Sequence, residues 1–229
     1  MSDGRLVIGN RRYSSWSLRG YLAVALAGLD VVVETIPMER PEGGGSTPAI
    51  KAAAPAGLVP FLEHQGALVW ESLSICEYCA EINPALWPAD RAQRGTLRSI
   101  ATEMHGGFLA LRQAFPMNLG RTASAAARDA RVTAAVTADI ARICDLWARA
   151  IALTGGPFLN GASAGAADAM YAPVVFRFHR WGAAITPAAE AYVGVMLAHP
   201  AMQAWQAGAE AEPEAWVLPH YEAMISDPA

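Results

Sequence analysis

The stretch Gly57-Leu58-Val59-Pro60-Phe61-Leu62-Glu63-His64-Gln65-Gly66-Ala67-Leu68-Val69-Trp70-Glu71-Ser72-Leu73-Ser74-Ile75 gives three structural signals in succession. Val59–Glu63 is a short apolar run opened by a proline, which a strand tolerates at its start because no ladder donor is needed there. His64-Gln65-Gly66 is a turn, and Ala67–Trp70 is a second short strand, so the pair reads as a hairpin. From Leu73 to Ile82 the chain is helical, and Asn83-Pro84 stops it. Upstream, Leu6-Val7-Ile8-Gly9 is a strand. Leu18, Leu22, Ala25, Leu26 and Leu29 then recur at helical spacing, and Val31-Val32-Val33 opens a β-branched strand after Gly28 and Asp30. Strand, helix, strand is a parallel βαβ unit. The full order is βαβ followed by ββα, which predicts four strands in one mixed sheet with helices on its faces. Pro41–Pro48 is a Gly- and Pro-rich loop, and a short Ala-rich helix is expected to stop near Pro55.

Beyond Arg91 the pattern changes. Leu97, Ile100, Met104, Phe108, Leu111 and Phe115 form one apolar stripe and predict one long helix; Val132, Val136, Ile140, Ile143, Trp147 and Ala150 predict another. Further helices are expected over 166–181, 187–198 and 201–211, with no strand after Trp70. The expected organisation is α/β plus all-α: a domain over 1–83, a linker over 84–90 and an all-helical domain over 91–229.

Composition narrows the function classes. The chain has 229 residues, 53% hydrophobic and 17% charged, with a formal net charge of -4. That is ample for a packed core and excludes a disordered chain. The small negative charge argues against a nucleic-acid binder built on a basic patch. Leu6–Ile8 is too short for the apolar region of a signal peptide, and no run is long enough to span a membrane. Three cysteines, Cys76, Cys79 and Cys144, make an odd count and suggest reduced thiols in a cytoplasmic protein. The charged fraction is low for a globular domain, which suggests that some surface is covered. Lys51 is the single lysine among 17 basic residues, and we read this as compositional bias.

Three local patterns bear chemistry. In Tyr13-Ser14-Ser15-Trp16-Ser17-Leu18-Arg19, hydroxyls stand at a helix N-terminus, where unpaired N–H groups carry the positive end of the dipole. A hydroxyl there can donate to a thiolate; Ser14, Ser15 and Ser17 can equally be capping residues. In Leu58-Val59-Pro60, a cis peptide would turn the Val59 N–H and C=O outward to pair an extended peptide, but base rates favour trans. At Glu71-Ser72, a helix N-terminus can take a carboxylate while the acid takes an ammonium, together recognising an amino-acid head group. The alternative is a capping box of Ser74 and Glu77. Cys76-Glu77-Tyr78-Cys79 has redox spacing but lies inside its helix rather than at the N-terminus where a thiolate is stabilised, so it reads as structural. No second CxxC and no HxxxH suggests a metal site.

In order and spacing these patterns resemble the glutathione S-transferase family over essentially the whole chain. Ser14-Ser15-Trp16-Ser17 looks most like the serine-type members, similar to the zeta-like turn but with Trp16 where those carry cysteine. Glu103-Met104-His105-Gly106-Gly107-Phe108 through Arg112 to Pro116-Met117-Asn118-Leu119 looks like a bacterial subgroup. Phe158-Leu159-Asn160-Gly161 with Ala167-Asp168 matches the folding motif of the helical domain. Three departures stand out. Leu58 occupies a position where relatives carry Lys or Gln, Ala54-Pro55 replaces Asn-Pro, and Gly165 stands where Ser or Thr caps a helix.

The resemblance implies a thioredoxin-like N-terminal domain, an all-helical C-terminal domain, a homodimer and glutathione as co-substrate without a metal. It implies that Ser14, or Ser15, bonds the glutathione sulfur; Ser14 is preferred because Ser14-x-x-Ser17 falls on the redox position of thioredoxin-like folds. Ser17, Leu58, Val59, Pro60, Glu71 and Ser72 would surround glutathione. Trp16, His105, Phe108 and Arg112 would face the second substrate. The expected activity is addition of the glutathione thiolate to a small, largely apolar electrophile. The alternatives are a maleylacetoacetate-type cis–trans isomerase and a glutathione-binding or protein-interaction module without turnover. No nucleic acid and no membrane is expected as a partner.

Overall fold

The computed structural model describes residues 2–39 and 47–225. Most of the expected Pro41–Pro48 loop lies outside the described residues. The N-terminal half runs β1 (Gly4–Ile8), α1 (Ser15–Ala27), β2 (Val32–Thr35), α2 (Pro48–Ala53), β3 (Phe61–His64), β4 (Ala67–Trp70) and α3 (Ser72–Ile82). The sheet order is β2-β1-β3-β4. β1 is parallel to β2 and antiparallel to β3, and β3 is antiparallel to β4. This is the expected mixed sheet. Gln65 and Gly66 both take positive φ, 48° and 84°, as a tight hairpin turn matching strand twist requires.

Alternation sorts the strands between two faces. Leu6, Ile8 and Leu62 face the helical side and join the main core with Leu18, Leu22 and Ile75, whereas Val7 and Phe61 pack on Ala54 on the other face. α1 ends at Gly28, φ 73°, whose N–H returns to the carbonyls of Val24 and Ala25, a left-handed cap suited to glycine. Gly20 lets α1 approach β3: a Cβ there would stand 2.8 Å from Pro60.

The helical half contains α4 (Arg91–Gly106), α5 (Leu109–Ala114), α6 (Ala125–Asp129), α7 (Ala134–Thr154), α8 (Ala166–Trp181), α9 (Pro187–Ala198), α10 (Pro200–Glu210) and α11 (Pro219–Ala223). The single helix expected through Leu97 and Phe115 is broken. Phe108 adopts a left-handed conformation, φ 59°, directly after Gly106-Gly107 and starts α5 as its N-cap. The break is stabilised by the Asp139 carboxylate, which accepts the Leu111 N–H at 2.9 Å and supplies a cap that Phe108 lacks. α6, α11 and two 3₁₀ turns were not expected from periodicity; each is five residues or fewer.

Between the two halves, Pro84–Leu86 forms a 3₁₀ turn, and Leu86 and Trp87 are buried. One apolar cluster runs through both halves. At its centre is α8, buried from Ala166 to Phe178 without interruption. A helix buried on every face must be walled on every side, and α1, α3, α4 and α9 supply those walls.

Asp168 fixes the start of α8. It is fully buried and accepts N–H groups from Leu159, Asn160 and Gly165 and the Tyr192 hydroxyl, at 2.9 to 3.2 Å. Burial pushes its carboxyl up to about 6 against the pull of these donors. The glycine at 165 follows from packing: a Cβ there would meet Asn160 at 2.4 Å and the Leu86 carbonyl at 2.5 Å. Asn160 fills the space a capping side chain would need, and Asp168 takes the Gly165 N–H itself. Asp168→Ala would leave these donors buried and unpaired, which costs about 3–5 kcal/mol. Urea unfolding is expected to show a loss of that size; a change below about 0.5 kcal/mol, the range of a surface substitution, would refute the role.

Candidate functional site

One slot of about 230 Å³ lies between the serine turn, which contributes Trp16, the segment Ala56, Leu58, Val59 and Pro60, and Trp70 and Glu71 before α3; Ser14, Ser15, Ser17 and Ser72 adjoin these residues in the chain but do not line it. Each side is built by local chemistry. Ser14 is the N-cap of α1: its Oγ accepts the Ser17 N–H at 3.3 Å and its hydroxyl donates to Ser17 Oγ at 2.8 Å. Ser17 Oγ also accepts the Gly9 N–H at 3.0 Å, which ties the turn to the end of β1. Ser14 and Ser17 are thus buried and engaged in capping. Ser15, the first residue of α1, is half-buried, and its hydroxyl has no partner among the described residues.

The Val59–Pro60 peptide is cis, which corrects the trans bond expected from base rates. Among the described residues neither the N–H nor the C=O of Val59 has a backbone partner, so both are available to an extended ligand. Leu58 beside them is exposed.

Glu71 is the N-cap of α3 with φ 67° and gives no side-chain cap. The Ser74–Glu77 capping box does not form, because Ser74 lies within α3 and Glu77 pairs with Arg98 at 2.7 Å. The first N–H groups of α3 therefore receive no side-chain acceptor, which leaves an anion-binding helix end. Ser72 is fully buried, with its hydroxyl 3.9 Å from Met170 Sδ.

Trp16 separates this slot from a cluster of cations. The Arg19 guanidinium lies 4.4 Å from its ring centroid and that of Arg112 lies 4.7 Å away, both in cation–π range. His105 meets the indole edge-on at 5.2 Å. Arg19 is buried, donates through Nε to the Met170 carbonyl at 2.9 Å, and leaves Nη1 without a partner. Burial, then the guanidiniums of Arg112 and Arg177, pull its pKa down to about 9; it stays charged at neutral pH. Arg177 donates to the carbonyls of Arg112 and Phe115. Among the described residues none of these three arginines has a carboxylate partner.

His105 stands 3.9 Å from Glu71. Burial and Arg19 and Arg112 lower its pKa despite the opposing pull of Glu71. Phe108 is part of the buried core and does not line the slot.

The remaining sequence candidates are structural. Cys76 and Cys79 are fully buried on α3. Burial pushes both thiols up, Cys79 to about 12. Among the described residues no group of three His, Cys, Asp or Glu is placed to hold a metal, and no helix is long and apolar enough to cross a membrane. Sequence reasoning missed Ala56 and Trp70 as slot residues. An alanine carries no signal, and Trp70 read only as a strand residue. Asn10 and Tyr13 were also missed, and their roles depend on partners more than a hundred residues away.

Comparison with known proteins agrees with this architecture. Residues 13–82 match the N-terminal domain model of glutathione S-transferases and residues 125–206 the C-terminal domain model. The chain therefore belongs to the glutathione S-transferase family, with a thioredoxin-like N-terminal domain and a helical C-terminal domain. A maleylacetoacetate isomerase of Mus musculus is 30% identical over 110 residues, 47% of this chain and 51% of that protein; the match spans about half the length of this curated relative. Among solved structures, a theta class glutathione S-transferase from Xanthomonas axonopodis pv. citri with glutathione bound superimposes with a TM-score of 0.63 at 23% identity, covering 93% of this chain and 99% of that one. A maleylacetoacetate isomerase from Anaeromyxobacter dehalogenans does so with a TM-score of 0.63 at 22% identity, covering 96% and 98%. At these identities the two superpositions speak to the fold.

Trp16→Ala removes the π faces over which two guanidiniums lie and opens a space beside buried Arg19. A stability loss of about 2–4 kcal/mol is expected. A chemical unfolding midpoint equal to that of the parent would show that the indole does not hold these cations.

Proposed function

We propose that the protein ionises the thiol of glutathione and adds the thiolate to a small electrophile. The observation that carries this reading is that three complementary features border one slot: the serine turn at the start of α1, through its Trp16, the unpaired backbone of Val59, and the start of α3 without a side-chain cap. The Val59 N–H and C=O pair the cysteinyl backbone of glutathione, next to Leu58 and Pro60. Glu71 takes the ammonium of its γ-glutamyl end, and the first N–H groups of α3, with Ser72, take the carboxylate. The sulfur then lies at the start of α1. A serine hydroxyl and the helix dipole favour its charged form there and lower its pKa.

Ser15 is favoured as the direct donor, because the Ser14 hydroxyl is engaged with Ser17. Ser14 and Ser17 then hold the turn. The electrophile lies against Trp16, near His105 and Arg112, with Phe108 in the core behind them. Proximity and a preformed thiolate supply the rate, without a covalent intermediate on the protein. Residues 1–83 form the glutathione-binding domain, 84–90 the connection and 91–229 the helical domain that completes the second site. Free, buried thiols at Cys76, Cys79 and Cys144 support a reducing compartment such as the cytoplasm. The exposed apolar side chains Leu68, Trp70 and Ile82 support burial of that surface in a homodimer, and detoxification is the broad role consistent with this chemistry.

A second reading is favoured by one observation. Arg112, half-buried against Trp16, has no carboxylate partner among the described residues, which suits a substrate bearing carboxylates, while the buried Arg19 on the same indole adds positive charge from behind. A maleylacetoacetate-type isomerisation, in which glutathione adds reversibly to a cis diacid, would use the same thiolate.

The test is a titration of bound glutathione followed by thiolate absorbance. The bound thiol is expected to ionise below its free pKa. Ser15→Ala should raise that pKa and leave stability nearly unchanged. Ser14→Ala should raise it and also cost about 1 kcal/mol of stability through the lost cap. Titrations unaffected by either change would remove the mechanism; turnover of a maleyl diacid in preference to apolar electrophiles would select the isomerase.

A further inference from the structure

The loop leading into the serine turn is held from outside its own domain. All four backbone polar groups of Arg11 and Arg12 are paired, and every partner lies in the helical half. The Glu212 carboxylate accepts the Arg11 N–H at 2.5 Å with one oxygen and the Arg12 N–H at 3.2 Å with the other. The Arg11 carbonyl accepts the Trp205 indole N–H at 3.1 Å, and the Arg12 carbonyl accepts the Leu119 N–H at 3.0 Å. On either side the pattern continues. The Asn10 side-chain amide donates to the Trp216 carbonyl at 3.2 Å. The Tyr13 phenol donates to Glu222 at 2.7 Å and accepts the Leu218 N–H at 3.3 Å, while its ring stacks on Tyr221 at 5.0 Å. Asn118 donates to the same Glu222 oxygen as Tyr13, and Arg121 pairs with the other. The next residues in the chain are Ser14 and Ser15.

We propose that Glu212 is a positioning residue for the glutathione site, with Glu222 acting through Tyr13 as a second anchor. The two carboxylates fix the Asn10–Tyr13 loop and thereby the direction of the serine hydroxyls and of the first N–H groups of α1. The link to glutathione rests on the function proposed above; the link to the turn does not. A carboxylate suits the task because it offers two acceptor oxygens and no donor, so it can take two successive N–H groups at once. Glu212 lies outside the slot lining, so its influence passes through the loop. By linkage, a ligand that tightens the serine turn also tightens docking of Glu212–Ile225.

Glu212→Gln keeps the size but presents an NH₂ to one of the two backbone donors. Tyr13→Phe removes the bond to Glu222 and keeps the ring. In the full chain without ligand, hydrogen exchange at 9–18 is expected to accelerate about tenfold in either variant, the effect of one lost hydrogen bond, with β1–β3 pairing and α8 unchanged. With glutathione bound, the thiol pKa is expected to shift upward toward its free value, and in the parent protein glutathione should slow exchange over 212–225. If Glu212→Gln lowers the thermal midpoint while exchange over 9–18 and the thiol titration match the parent, Glu212 is structural only and the inference falls. If the parent fails to ionise glutathione, the proposed function falls, while exchange over 9–18 still decides the positioning role. Tyr13→Phe carries both measurements if Glu212→Gln does not fold.

Discussion

Burial of α8 is the constraint on which the rest of the structure depends. Its residues from Ala166 to Phe178 are all out of solvent, so the chain must surround it. The helical half cannot do this alone: α1 and α3, from the sheet domain, form part of the wall. The two halves therefore share one core, and the start of α1 and the start of α3 are placed by packing that crosses the domain boundary. Asp168 anchors the arrangement by joining the Leu159–Gly165 loop, Tyr192 and the first turn of α8 through a single buried carboxylate.

The same packing brings charges into an apolar interior. Arg19 reaches the Met170 carbonyl from α1, Arg177 reaches back from α8 to the carbonyls that end α5, and Arg112 lies over Trp16. Buried guanidiniums are tolerated when carbonyls and π faces replace water. Trp16 supplies a face to two of them while walling the slot. Its position in the serine turn thus joins the wall of the slot to the stability of the domain boundary. The low charged fraction of the chain is consistent with this shared interior, and the near absence of lysine has no structural counterpart.

Much of the fold was legible because it follows from short-range pattern. The β-branched and apolar runs became strands, and the Gly28 cap and the Asn83-Pro84 stop ended helices where expected. The Gln65-Gly66 turn closed the hairpin. The helix expected through Leu97–Phe115 was not legible as two, since its apolar stripe continues across the break. The left-handed Phe108 depends on Gly106-Gly107 and on Asp139, a residue about thirty positions later. Gly165 read as a missing cap until Asn160 was seen to fill the space beside it.

The candidate site divides in the same way. Residue type and order alone determined that a serine turn, a proline-opened strand and an acid–serine pair lie on one mixed sheet with helices on its faces, because each is a local signal attached to a strand or helix end; the resemblance to a known family made that scaffold thioredoxin-like. Only the tertiary structure decided which serine is engaged in capping, that the Val59–Pro60 peptide is cis, that Trp16 lies between two guanidiniums, and that Glu212 and Glu222 hold the loop before Ser14. The physical reason is range. Hydrophobic period and capping act over a few residues, whereas a carboxylate at 212 meets the N–H groups of Arg11 and Arg12 only after the chain has folded around α8.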